Sequence, residues 1–160
     1  MRRILTCVLI IAILLASGCI YDGSTDDASI QSPAKNDSSS MKQDDIAVDH
    51  IEVIHFHGMQ QCYSCKTVGD YAEETINTYF VDEVNSGKII FQHINYELPE
   101  NRDMVLKYGV KSSSLWIGTY TENDFHPEEN ANVWYKIRDK EDYMGYLTGI
   151  IEKRLLGDFS

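Results

Sequence analysis

Four residues constrain this chain more than any others: Cys62-Tyr63-Ser64-Cys65. They follow a strand-like run, Ile51-Glu52-Val53-Ile54-His55-Phe56-His57-Gly58, and directly precede a helix-like run from Lys66 to Val84. A C-x-x-C at a strand-to-helix junction sets its first thiol at the exposed start of a helix. There the unpaired backbone N–H groups and the positive end of the helix dipole favour a thiolate. The second thiol lies one turn inside, close enough to close a disulfide. This is the layout of a dithiol/disulfide redox site. It asks for a fold in which a buried strand feeds straight into an amphipathic helix.

The other cysteines sharpen that reading. Of the four in the chain, Cys7 falls inside a leader-like segment and Cys19 closes it, which leaves Cys62 and Cys65 for the globular part. A secreted protein braced by disulfides uses more pairs at longer spacing. A bridge over so short a loop would also constrain the unfolded chain little. One close pair outside the cytoplasm therefore points to redox chemistry. The competing use of these residues is a metal site made of Cys62, Cys65, His55 and His57. With no second C-x-x-C, it needs strand and helix to converge tightly. The redox reading calls for no metal and no cofactor.

Residues 1–18 read as a signal peptide. Arg2 and Arg3 form a basic start, Ile4 to Ala16 is apolar apart from Thr6, and Ala16-Ser17-Gly18 are small. The apolar run is short for a membrane span, which takes about 20 residues. Leu15-Ala16-Ser17-Gly18-Cys19 resembles a prokaryotic lipobox, so Cys19 is the expected lipidation site and new N-terminus. An uncleaved anchor is the alternative; either way the chain is tethered at the outer face of the cell membrane. From Asp22 to Asp45 the chain has six Asp, six Ser and two large apolar residues, Ile30 and Met41. Residues 19–45 therefore read as a lipidated, disordered tether, spanning about 28 Å root-mean-square for about 27 residues. The formal charge of the whole chain is -11. It is more negative still without Arg2 and Arg3, and it speaks against nucleic acid as a partner.

Residues 46–160 read as one domain, expected to act as a monomer. Val48 to Phe56 forms a strand. Cys65, Val68, Ala72, Ile76, Tyr79, Phe80 and Val84 recur at helical spacing and mark one buried face. Gly87 suits a left-handed cap after it. Lys88 to Tyr96 is a second strand. Pro99 opens a short helix that Gly109 stops. Leu115 to Tyr120 is a third strand, Thr121 to Asn130 a polar connection containing Pro127, and Val133 to Ile137 a fourth strand. Asp139 caps a last helix whose apolar face is Tyr143, Leu147, Ile150, Ile151 and Leu155. The order β-α-β-α-β-β-α predicts an α/β domain: a central mixed sheet of about four strands with flanking helices and an antiparallel edge.

This order, with C-x-x-C opening the first helix, resembles the thioredoxin fold. Tyr108-Gly109-Val110-Lys111-Ser112-Ser113-Ser114-Leu115 resembles the thioredoxin segment that leads to its cis-proline. More narrowly, the His-Phe-His-Gly…Cys-x-x-Cys-Lys run (His55 to Lys66) and the strand start Gly87-Lys88-Ile89 resemble a lipoprotein-like thioredoxin-fold family. That family is identified with the ArsF subunit of a nitrophenyl compound nitroreductase. The chain departs from thioredoxin at several points. No Trp precedes Cys62, Tyr63-Ser64 stands where thioredoxin has Gly-Pro, and Ser114 stands at the cis-proline position. The buried acid beneath the second cysteine maps to about His55. The Ser113–Ser114 peptide is expected to be trans, because a non-proline cis bond costs about 2.5–4 kcal/mol.

The candidate catalytic residues are Cys62 as attacking thiol, Cys65 as resolving thiol and His55. His55 and His57 are two apart and share a face of their strand. If that face looks toward Cys65, an imidazole there can take or return the resolving thiol's proton. His93 and His126 have no partner pattern and read as surface or sheet residues. Trp116 and Trp134 read as packing residues on the hairpin strands. Tyr63 reads as an exposed aromatic beside the thiols. The resemblance implies that the loop Ser112-Ser113-Ser114 pairs with an extended partner segment, making Tyr63, Ser113 and Ser114 the substrate-binding candidates. The expected activity is thiol–disulfide exchange or dithiol electron transfer with a partner protein of the cell envelope. Two alternatives stand beside it. One is a small redox subunit of a nitroaromatic-compound reductase complex. The other is a non-catalytic module in which C-x-x-C holds a metal or a static disulfide.

Overall fold

The computed structural model describes residues 47–160. The expected signal peptide, lipidation site at Cys19 and tether lie outside the described residues. All of the described residues belong to one compact unit. No helix among the described residues is long and apolar enough to cross a membrane.

Strand β1 (Val48–His57) is the centre of the molecule. Ile51, Val53, Ile54, His55 and Phe56 are all buried, which is why the run shows so little polar alternation. It pairs in parallel with β2 (Ile89–Asn95) and antiparallel with β3 (Ser114–Thr121), which pairs antiparallel with β4 (Phe125–Glu129). The sheet order is β2-β1-β3-β4. The parallel half is joined through α1 (Tyr63–Tyr79) and α2 (Val81–Asn85). After β2 come a 3-10 turn, Pro99–Asn101, and α3 (Arg102–Tyr108). After β4 come α4 (Val133–Lys136) and α5 (Lys140–Leu155). A parallel βαβ half, an antiparallel hairpin and a closing helix make this the thioredoxin-like arrangement, as expected.

One sheet face, carrying Ile51, Val53, Leu115 and Ile117, packs against Val68, Ala72 and Ile76 of α1 and Tyr143, Leu147 and Ile151 of α5. The opposite face buries Ile54, Phe56 and Ile94 against Tyr108 of α3. Glu52 also looks to that second side. Its Oε2 accepts hydrogen bonds from the hydroxyls of Tyr108 (2.6 Å) and Tyr120 (2.7 Å), with Lys107 at 3.6 Å. Burial pushes the carboxyl pKa up, but the two phenols and Lys107 outweigh it and hold the carboxyl below its ordinary value.

Three elements differ from the sequence expectation. The helix expected to run to Val84 breaks at Phe80, whose φ of -129° and ψ of 31° leave the helical region. Tyr79-Phe80-Val81 joins two aromatics to a β-branched residue, all poor helix formers. The break puts the Phe80 ring in the core while Tyr79 and Val81 stay outside.

The fourth strand is not Val133 to Ile137. It lies in the segment expected to be a polar connection, at Phe125–Glu129. Because β4 pairs only with β3, it is an edge strand, where proline and charged residues are tolerated; Pro127 stands opposite Gly118. Thr121 and Asp124 close the turn, with the Asp124 N–H donating to Thr121 Oγ1 at 3.1 Å.

Val133–Lys136 is a short helix instead. Helical spacing sets Val133, Trp134 and Ile137 against the core and leaves Tyr135 85% exposed. Trp134 thus packs, but from a helix. Three helix ends follow expectation, the first at Gly87, which takes φ 77° after α2. Gly109 takes φ 72° after α3, and the Asp139 side chain accepts the Asp142 N–H at the start of α5.

Candidate active site

The site lies where β1 ends. Tyr96 N–H donates to the His57 carbonyl at 2.9 Å, and Met59 N–H donates to Glu97 Oε2 at 2.8 Å, so the chain leaving β1 is tied to the segment after β2 before it enters α1. Cys62 is the N-cap of α1, in extended conformation, and its Sγ accepts the N–H of Cys65 at 3.1 Å. The sulfur thus takes the place that a Ser or Asp oxygen holds at other helix starts. Cys62 and Cys65 are joined as a disulfide with Cα atoms 5.1 Å apart. Cys62 is exposed and Cys65 is half-buried, the asymmetry that the helical spacing predicts.

Aromatic and apolar surface flanks the exposed sulfur. Tyr63 is 81% exposed and Met59 69%. Ser114 pairs with Phe56 on the last rung between β3 and β1, which brings the Ser112–Ser114 loop to the end of the sheet where β1 gives way to the C-x-x-C. Among the described residues every peptide bond is trans, including Ser113–Ser114, as expected. The Ser114 side chain is turned inward. Its hydroxyl donates to the Ser112 carbonyl and accepts Trp116 Nε1–H, both at 2.9 Å. What the loop leaves for an incoming chain is therefore the backbone around Ser113.

His55 lies beneath α1. It is fully buried, and its ring occupies the space that a side chain at Gly69 would need: a Cβ there would fall within 2.9 Å of Cγ and closer still to Nδ1 and Cε1. Gly69 is one helical turn beyond Cys65, so the imidazole sits under the turn that carries the second thiol. Burial, with His93 and His57 adding to it, lowers the His55 pKa from 6.5 to about 4, against the opposing pull of the Cys65 carbonyl and Asp70. The ring is therefore neutral at neutral pH. Its Nε2 is buried without a hydrogen-bond partner. His57 shares the same face, with ring centroids 5.5 Å apart, but its Nδ1 is engaged at 2.9 Å with the Gly58 carbonyl.

His93 is a member of this cluster that the sequence did not reveal. It was expected to be a surface or sheet residue without a partner. It stands opposite His55 in the parallel register, and the two Nδ1 atoms are 2.9 Å apart. The pair is separated by 38 residues, and only the β1–β2 pairing brings them together. The alternation Ile89, Phe91, His93 carried a signal: it assigns His93 to the face that β2 shares with His55. His126 is remote from this cluster, on β4 against Phe159. Among the described residues no three His, Cys, Asp or Glu side chains are arranged to hold a metal ion.

No protein-family model matches the sequence, and no curated protein matches it. Among solved structures the chain is similar to a thioredoxin from Thermus thermophilus, at 11% identity and a TM-score of 0.44, over 66% of this chain and 76% of that one. It is also similar to a malarial protein, at 14% identity and a TM-score of 0.35, over 51% of this chain and 82% of the other. The fold assignment itself rests on the strand order and pairing described above. The domain is thus a thioredoxin-like fold with a C-x-x-C pair at the start of its first helix.

Proposed function

We propose that this protein is a membrane-tethered, extracytoplasmic thiol–disulfide oxidoreductase or dithiol electron carrier that acts on a partner protein. What supports this is one placement: an exposed sulfur capping α1, disulfide-linked to a half-buried one, above a buried neutral imidazole. Cys62 is the nucleophile, because a thiolate at a helix N-terminus is both favoured and reachable. Cys65 resolves the mixed disulfide, and His55 handles its proton. Tyr63 and the backbone at Ser113 contact the partner segment, and Ser114 holds that loop in shape. Cys19 carries the lipid, and the acidic domain works as a monomer on the outer face of the membrane.

A Cys65→Ser variant tests the reading. Without the resolving thiol, partners accumulate as mixed disulfides through Cys62. Envelope extracts on non-reducing gels then show new high-mass bands that dithiothreitol removes and that a Cys62→Ser/Cys65→Ser variant lacks. Their absence at native expression sinks the exchange reading in favour of a static disulfide. Cys19→Ala should release the protein from the membrane fraction. The resemblance to the ArsF family adds a second reading, in which the same dithiol relays electrons inside a nitroaromatic-compound reductase complex. Co-purification of a reductase with the trapped Cys65→Ser variant would favour it.

A further inference from the structure

Thiol–disulfide exchange has a proton to move, and the following rests on that reading of the site. The Cys62 thiolate attacks a partner disulfide, forms a mixed disulfide and releases one partner thiolate. Cys65 then attacks the Cys62 sulfur. The Cys62–Cys65 bond forms, the bond to the partner breaks, and the second partner sulfur leaves as a thiolate. Two electrons pass from the dithiol to the partner disulfide. One proton, the one on Cys65, has to leave a half-buried position.

We infer that His55, His93 and Glu73 form a proton relay that joins the space under Cys65 to solvent at the edge strand β2. The two imidazoles meet Nδ1 to Nδ1 at 2.9 Å across the β1–β2 register. His93 is exposed, and its Nε2 faces Glu73 Oε2 of α1 at 3.4 Å. At the inner end, His55 Nε2 is enclosed and unpartnered. The chain therefore has an unpartnered ring nitrogen inside, one shared proton in the middle and a carboxylate in water at the outside.

The relay balances without leaving charge in the core. His55 Nε2 takes the proton from Cys65 Sγ, the Nδ1–H of His55 passes to His93 Nδ1, and the Nε2–H of His93 passes to Glu73 or water. Each imidazole ends neutral, in its other tautomer. Run backwards, the same path returns a proton to Cys65 when the disulfide is reduced. A stationary imidazolium at His55 would be costly, since burial and the neighbouring histidines disfavour it. The titratable groups facing His55 are His57 on its own strand, His93 on β2 and Asp70 on α1, where the Cys65 backbone also meets the ring; β3 sets the apolar Leu115 opposite it. His57 is outside the chain because its Nδ1 bonds the Gly58 carbonyl. His93 is thus a positioning and relay residue that acts through His55.

Two measurements on the full chain test this. In the first, reduced protein is mixed with oxidised glutathione, quenched at intervals and weighed by mass spectrometry, which separates glutathionylation of Cys62 from closure of the Cys62–Cys65 bond. His93→Gln keeps a hydrogen-bonding side chain but cannot accept a proton on one atom and release it from another. It should leave the first step within about twofold and slow the second about tenfold, with imidazole in the buffer restoring the rate. An unchanged second step, or an equal slowing of both, overturns the relay. In the second, side-chain nitrogen NMR of dithiol and disulfide forms should show His55 and His93 exchanging tautomers; identical tautomers in both forms overturn it as well. If the wild-type chain itself fails to close its disulfide with oxidised glutathione, the exchange reading fails. If it closes normally and His93→Gln closes as fast, the relay alone fails.

Discussion

Gly69 on α1 leaves the space that the His55 ring on β1 fills. A Cβ at position 69 would lie within 2.9 Å of the His55 Cγ, closer than real side chains approach. The helix that carries the thiols can settle onto the sheet over an imidazole only because that one position has no side chain.

The pair makes a stability prediction with a sign reversal. Gly69→Ala should destabilise the domain by about 1–3 kcal/mol, the usual cost of overpacking a tight core. In a His55→Ala background the ring is gone, and the same change should be neutral or stabilising by up to about 1 kcal/mol, because alanine is the better helix former. Urea unfolding of the four proteins checks the cycle. Additive effects would show that the ring and the glycine do not compete for space.

His55 also sets an acid limb. Its pKa falls from 6.5 to about 4 on folding, so the unfolded chain binds the proton first. Its contribution is therefore fully present above about pH 6.5 and lost as pH falls towards 4. Across two pH units in that window the loss is about 2–3 kcal/mol. Glu52, whose value is lowered from 4.5, adds a loss of the same sign at lower pH, as its folded-state carboxylate is protonated. In His55→Phe the slope between pH 6.5 and 4.5 should flatten while the loss below it remains. Unfolding free energies measured at pH 7, 5.5 and 4.5 decide this, and parallel curves for the two proteins would rule out a buried neutral imidazole.

The reduced site should be kinetically asymmetric. Cys62 is exposed at the N-cap, and Cys65 is half-buried one turn inside. Iodoacetamide should label Cys62 at least about tenfold faster near neutral pH, because thiolate character and access both favour it. Peptide mapping after short exposures gives the ratio. A Cys62→Ser variant that still carries the fast-reacting thiol would reverse the assignment of attacking and resolving roles.

Ser114 is expected to matter through its inward hydroxyl. It bridges the Ser112 carbonyl and the Trp116 indole N–H. Ser114→Ala leaves both groups unpaired and should cost about 1–2 kcal/mol. Trp116 fluorescence should shift as its N–H loses its partner, and trapping of mixed disulfides by Cys65→Ser should weaken as the loop loosens. A variant with unchanged stability and unchanged emission would show that the bridge is not formed in solution.

Much of this was legible in the chain itself. The C-x-x-C between a strand-like run and an amphipathic stripe determined the βα junction, the exposed and half-buried thiols and, with the later elements, the α/β order. Those are local facts: period, caps and turn residues act over a few positions, and the tertiary fold agrees with them. Gly109 and Asp139 end and begin their helices as their chemistry dictates. What the sequence could not decide depends on partners far along the chain. Phe125–Glu129 is a strand because β3 offers it an edge, although its own residues are polar and include a proline. Val133–Lys136 is a helix because the core takes Val133, Trp134 and Ile137 together. The site divides the same way. His55 and His57 declare a shared face by their spacing. The meeting of His55 with His93 waits on the parallel register of β1 and β2, and its depth waits on a glycine in a helix, because only packing brings together groups that the chain keeps 38 residues apart.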